Sequence, residues 1–158
     1  MPHIRAAMSI AFQLLLIVHV LAAMLWFGGA VFAPRRLREA LELAPAAGEP
    51  LLASWARQSR IFAACATLVV LTGVAMVPVR FGGFGALPVR FHVALTLSLV
   101  WWLVGTLLTR RNGLLAIEAM RGGGGADKAR AFARRVGMFG GIEHLLFTVN
   151  AVLMLWRL

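Results

Sequence analysis

Residues 14–36 read LLLIVHVLAAMLWFGGAVFAPRR, an apolar run that ends in two arginines and holds one histidine, His19. It lies within Ala6–Pro34, a stretch free of lysine and arginine, and three more such stretches follow: Ile61–Val79, Phe91–Thr109 and Val136–Trp156. A helix crosses a hydrocarbon core with about 20 apolar residues. In lipid only helices and closed barrels satisfy the backbone, and none of these runs shows the two-residue alternation of a barrel strand. The expectation is an all-α, integral membrane four-helix bundle forming one transmembrane domain over residues 1–158. Its helices are expected at about 8–33, 61–79, 89–109 and 137–156.

Composition agrees, since 61% of the 158 residues are hydrophobic, where a soluble domain is nearer half. The first run is longer than the roughly 7–15 apolar residues of a signal-peptide core and is read as a retained helix. Cys65 is the single cysteine, so no internal disulfide forms.

The net charge of +10 is unevenly placed. Arg35, Arg36, Arg38, Arg57, Arg60, Arg110, Arg111, Arg121, Lys128, Arg130, Arg134 and Arg135 cluster at one side, leaving Arg5, Arg80, Arg90 and Arg157 for the other. The positive-inside rule makes the first group cytoplasmic and both termini outward (N-out/C-out). This distribution serves topology and contact with anionic lipid, not nucleic acid.

Between the runs, Leu51–Arg60 reads as an interfacial approach with Trp55 at headgroup level. The connection Arg110–Arg135 contains RGGGG and reads as a flexible linker, because no Gly-Lys-Ser/Thr follows to make a phosphate cradle. Gly137 and Gly141 form a small-xxx-small pair at the depth of Gly28 and Gly29, which suggests close helix approach there.

Ionisable groups at membrane depth are costly and therefore functional candidates. Four occur: His19, His92, Glu143 and His144. His19 and His92 are closest in depth, both in the outward half, and across a bundle they are placed to ligate one haem b iron axially. Arg90, with Arg80 or Arg5, is then placed for the propionates, and Asn150, nearly level with His19, for orienting its second ring nitrogen. The alternative is copper, since Met8, Met76 and Met154 share the outward half with His3, His19 and His92, and soft thioethers with imidazoles suit Cu(I). Cys65 near His144 offers an inner relay, with His144 as a further metal candidate. Structural readings remain beside these: a His19 bonded to a neighbouring helix, a solvated His92, and methionine as filler.

The stretch HVLAAMLWFGGAVFAPR (19–35) resembles the first helix of the membrane superfamily that contains the copper-resistance protein D (CopD) family and the HemJ-type protoporphyrinogen oxidases. The shared elements are His19, Trp26–Phe27 seven residues later, Gly29, and Pro34–Arg35. RIFAACATLVVLTGV (60–74) looks like the second helix of the CopD-like branch, and RFHVALTLSLVWW (90–102) is similar to the third, with His92 in the corresponding place. The resemblance implies a four-helix module. In the HemJ type the helix-one histidine is associated with haem b and porphyrinogen oxidation. The lysine of that type, two residues after the third-helix histidine, is Ala94 here, and the acid expected before helix two is absent around Ala56–Arg57. The CopD type implies copper handling in the inner membrane, and Leu71-Thr72-Gly73 matches that branch. Partners consistent with these readings are the lipid bilayer, a quinone or redox protein, further copies of the chain, or a larger membrane complex. Whether the chain is an enzyme is left open.

Overall fold

The computed structural model describes residues 2–123 and 125–155. The chain folds into helices α1 (Pro2–Ala30), α2 (Ala33–Glu42), α3 (Pro45–Phe81), α4 (Val89–Leu103), a π-helical segment (Val104–Thr109), α5 (Arg110–Arg121) and α6 (Ala126–Leu155). Four helical stretches are long and apolar enough to cross a membrane: Ile10–Glu42, Ala46–Phe81, Val89–Arg121 and Ala126–Leu155. The protein is an all-α, multi-pass membrane bundle. Large apolar side chains such as Leu14, Leu25, Ile61, Leu71, Leu103 and Leu145 point outward. In water such a belt would drive association, whereas acyl chains solvate it.

The helices are longer than the apolar runs that define them. With 37 residues, α3 extends about 55 Å at 1.5 Å per residue, against about 30 Å of hydrocarbon. The excess lies at the basic end and is packed. There α2, the start of α3, α5 and the start of α6 bury Leu37, Leu41, Leu52, Trp55, Ile117 and Val136 in a core of their own. In α2 the buried positions Leu37, Ala40 and Leu41 fall at i, i+3 and i+4, one helical face, and leave Arg35, Arg36 and Arg38 outside.

Three expectations change at this end. Trp55, expected to face headgroups, is buried among protein side chains, and its indole N–H donates to the Ala33 carbonyl at 2.9 Å. The connection Arg110–Arg135 is helical to Arg121 and again from Ala126, so the linker shrinks to a glycine turn with Gly123 and Gly125 at positive φ. The reason is amphipathicity: Ala116, Ile117 and Ala129, Ala133 give each segment an apolar stripe to bury. Helix four accordingly begins at Ala126 and not at 137.

Nearer the other end, α1 runs along α3 and α4 along α6. Their shared core is Ala22, Trp26, Ala66, Val69 and Trp101. The Trp26 ring lies 4.7 Å from Trp101 and 4.9 Å from Phe147, centroid to centroid. Such pairs contribute about 0.5–1.5 kcal/mol beyond the area they bury. Of the four glycines expected to allow close approach, Gly29 does so, seated under the Phe62 ring of α3, whereas a Cβ at Gly28, Gly137 or Gly141 would meet nothing. Close packing falls also at Gly113, seated under Trp55, and at Gly105, seated under Glu143.

Candidate ligand-binding cavity

At the end opposite the basic layer, α1, α3, α4 and α6 enclose a cavity of about 670 Å³, within the usual range for cofactor sites. Each helix contributes one face at helical spacing: Leu16, His19, Ala23 and Phe27 from α1; Gly73, Met76 and Arg80 from α3; Phe91, Leu95 and Ser98 from α4; Phe147, Asn150 and Met154 from α6. The wall is mainly apolar. Arg80 and Arg90 stand at its end, beside the 82–88 turn, with the Arg90 guanidinium 5.0 Å from the Phe91 ring.

His19 is held across the α1–α3 contact, its Nδ1 3.0 Å from the Thr72 hydroxyl. That hydroxyl has one proton, and two carbonyls compete for it, Leu68 at 2.6 Å and Val69 at 3.1 Å. Toward the imidazole it therefore accepts. His19 Nδ1 carries the hydrogen, with the Val69 carbonyl as a further acceptor, and Nε2 keeps its lone pair. A histidine whose second nitrogen is fixed by a neighbour is the arrangement found at metal-ligating imidazoles. Thr72 is eight residues from Arg80 on the same helix, so His19 sits about 12 Å deeper along the axis than the arginine.

Of the residues expected at this site, His19, Arg90, Asn150, Met76 and Met154 all line the cavity. His92 does not. It lies on the exposed face of α4 with Thr96 and Leu99, about 100° around the helix from cavity-lining Phe91. The expected pairing is thus corrected: the structure does not bring His19 and His92 to one site. Asn150 also differs from expectation, because its Nδ2 donates to Ser98 Oγ at 2.7 Å and Thr72 takes the role assigned to it. The Asn150 Oδ1 is buried without a hydrogen-bond partner among the described residues. His144 stands elsewhere, its ring 5.7 Å from Trp26 and its Nδ1 on the Gly140 carbonyl.

Among the described residues no three His, Cys, Asp or Glu side chains gather to hold a metal ion, so neither Cys65 nor His144 joins such a group. Arg157 lies outside the described residues, as do the side chains of His3, Arg5 and Met8. Neither Thr72, noted only within the Leu71-Thr72-Gly73 match, nor Ser98 was expected at the site. The available signal was a hydroxyl in each apolar run, at the spacing of the buried face. Comparison with known proteins returns no matching family model, no matching curated protein and no matching solved structure.

Proposed function

We propose that the chain is an inner-membrane haem b protein, with its basic end cytoplasmic, that takes part in electron transfer or related redox chemistry. The observation that carries this is His19: one imidazole, with Nδ1–H committed to Thr72, in the wall of an otherwise apolar 670 Å³ cavity. The residues fit the group. His19 Nε2 would supply a nitrogen ligand, the aromatic and aliphatic walls would suit a flat apolar macrocycle, and Arg80 and Arg90 at the cavity end would pair with its carboxylates. Bound there, haem b would supply a one-electron couple tuned by burial and by the hydrogen bond behind its ligand. Around it the chain excludes water, fixes the imidazole tautomer and places positive charge at the rim. Electrons would pass to or from a quinone or a redox protein.

Absorption spectroscopy of detergent-purified protein from haem-replete cells tests the reading. The expected result is a Soret band that shifts on dithionite reduction, is lost in His19→Ala and persists in His92→Ala. A colourless wild type refutes it. Copper is the second reading, favoured by Met76, Met154 and His19 lining the same cavity. Stoichiometric copper by elemental analysis, without haem, would select it.

A further inference from the structure

On the basic side of Trp26 lies a second, smaller cavity, and its residues belong to none of the chemistry above. The Glu143 side chain of α6 is 4% exposed. Its Oε2 accepts from the Thr109 hydroxyl at 3.2 Å, and the Trp26 side chain lines the same cavity. A Cβ on Gly105 would collide with the carboxyl, so glycine at that position makes room for it. Gly105 and Thr109 both fall in the π-helical segment 104–109, a wide turn of the kind that recurs at functional sites.

The adjoining cavity holds about 50 Å³, space for about three to five waters. Two further buried atoms on residues that line it, His144 Nε2 and Arg110 Nε, have no hydrogen-bond partner among the described residues. Their chemistry is complementary. His144 Nδ1 lies against the Gly140 carbonyl, which can only accept, so Nδ1 carries the hydrogen and Nε2 is an acceptor. Arg110 Nε–H is a donor. Buried polar atoms of this kind are ordinarily satisfied by ordered water, and one water can serve both.

No cation stands within ion-pair distance of Glu143 among the described residues; the ion pairs lie at the surface, at Arg35–Glu39, Arg121–Glu49 and Arg130–Asp127. Isolated charge is costly at such a site, and a proton is the partner small enough to fit between Glu143, Thr109 and the cavity water. The groups facing Glu143 are Trp26 from α1, Pro34 from α2, Gln58 and Ser59 from α3, Arg110 from α5 and His144 from α6. Only Arg110 and His144 are titratable or charged.

We propose that this cavity is a hydrated proton-exchange site whose acceptor is the Glu143 carboxyl. A proton leaves a protonated cavity water, forms an O–H bond on a carboxylate oxygen and leaves neutral water; release is the reverse, with no change of oxidation state. Neither the carboxyl nor the cavity water requires a ligand in the larger cavity. Infrared difference spectra of the full chain in nanodiscs, recorded against pH in H2O and D2O, test it. A carboxylic-acid C=O band that titrates and downshifts in D2O is expected. Glu143→Gln should remove it, while Glu118→Gln, at an exposed position, should leave it. A folded Glu143→Gln protein with an unchanged spectrum overturns the proposal. Should that variant not fold, Thr109→Val keeps the carboxyl and removes its donor; a displaced band supports the site, and an unmoved one overturns it.

Discussion

Thr72→Val is the most informative single change in the larger cavity. Valine keeps the shape and removes only the hydroxyl oxygen that accepts from His19 Nδ1–H at 3.0 Å. Thr72 is buried, so water does not replace the lost acceptor. A net hydrogen bond is worth about 0.5–1.5 kcal/mol to folding, and the Val69 carbonyl remains beside the ring, which puts the stability loss in the lower half of that range. Ligand affinity should suffer more. Outer partners of ligating histidines are worth about 10–100-fold in metal binding. With one acceptor retained, the expected loss is about 10-fold, or about 1.4 kcal/mol. The assay is titration of apo-protein in detergent with ferric protoporphyrin IX, followed at the Soret band. Thr72→Ser should restore the affinity because it restores the oxygen. Wild-type affinity in Thr72→Val, alongside lost binding in His19→Ala, would refute the tautomer argument. Full binding by His19→Ala would refute the site.

Replacing both Arg80 and Arg90 by alanine should weaken binding of the porphyrin dicarboxylate while leaving its dimethyl ester unaffected; equal effects on the two ligands would remove the arginines from the site. Gly113→Ala drives a methyl into the Trp55 ring and endangers the 2.9 Å bond to Ala33. Overpacking of this kind costs about 1–3 kcal/mol, so a clear fall in thermal midpoint is expected, and an unchanged melt would refute the packing at the basic end. Glu49→Gln breaks the ion pair with Arg121, whose side chains are 49% and 50% exposed. A loss below about 1 kcal/mol, vanishing at high salt, is the expected outcome, read from melts at two ionic strengths.

The four spans were legible because an apolar run free of lysine and arginine, and without two-residue alternation, has one physical solution in lipid, the helix. The helical layer at the basic end was not, since charge density there hides the pattern. RRLREALEL looks wholly solvated until Leu37, Ala40 and Leu41 are placed on one face. RGGGG drew attention to flexibility, although the residues on both sides of it carry apolar stripes. At the site, depth alone matched His19 with His92, because depth counts residues along an axis and ignores rotation about it. Phe91, Leu95 and Ser98 own the inward face of α4. That phase was readable from the spacing of Ala94, Ser98 and Trp101, all buried on α4. The partner of His19 was not readable, because Thr72 is 53 residues away and its neighbours in sequence are uniformly apolar.

An aromatic layer separates the two polar centres. Phe27 and Phe147 line the larger cavity and Trp26 the smaller one. Trp26 is 6.3 Å from Phe27 and 4.9 Å from Phe147, and Phe27 is 5.1 Å from Phe147, centroid to centroid. Rings at these separations pack against one another between the two cavities. The same rings transmit electrostatics, because the low-polarity layer screens charge poorly. A change of charge near His19 must then be felt at Glu143 across one layer of aromatic side chains. A continuous pore would have needed polar residues at this level, where the sequence places tryptophan and phenylalanine.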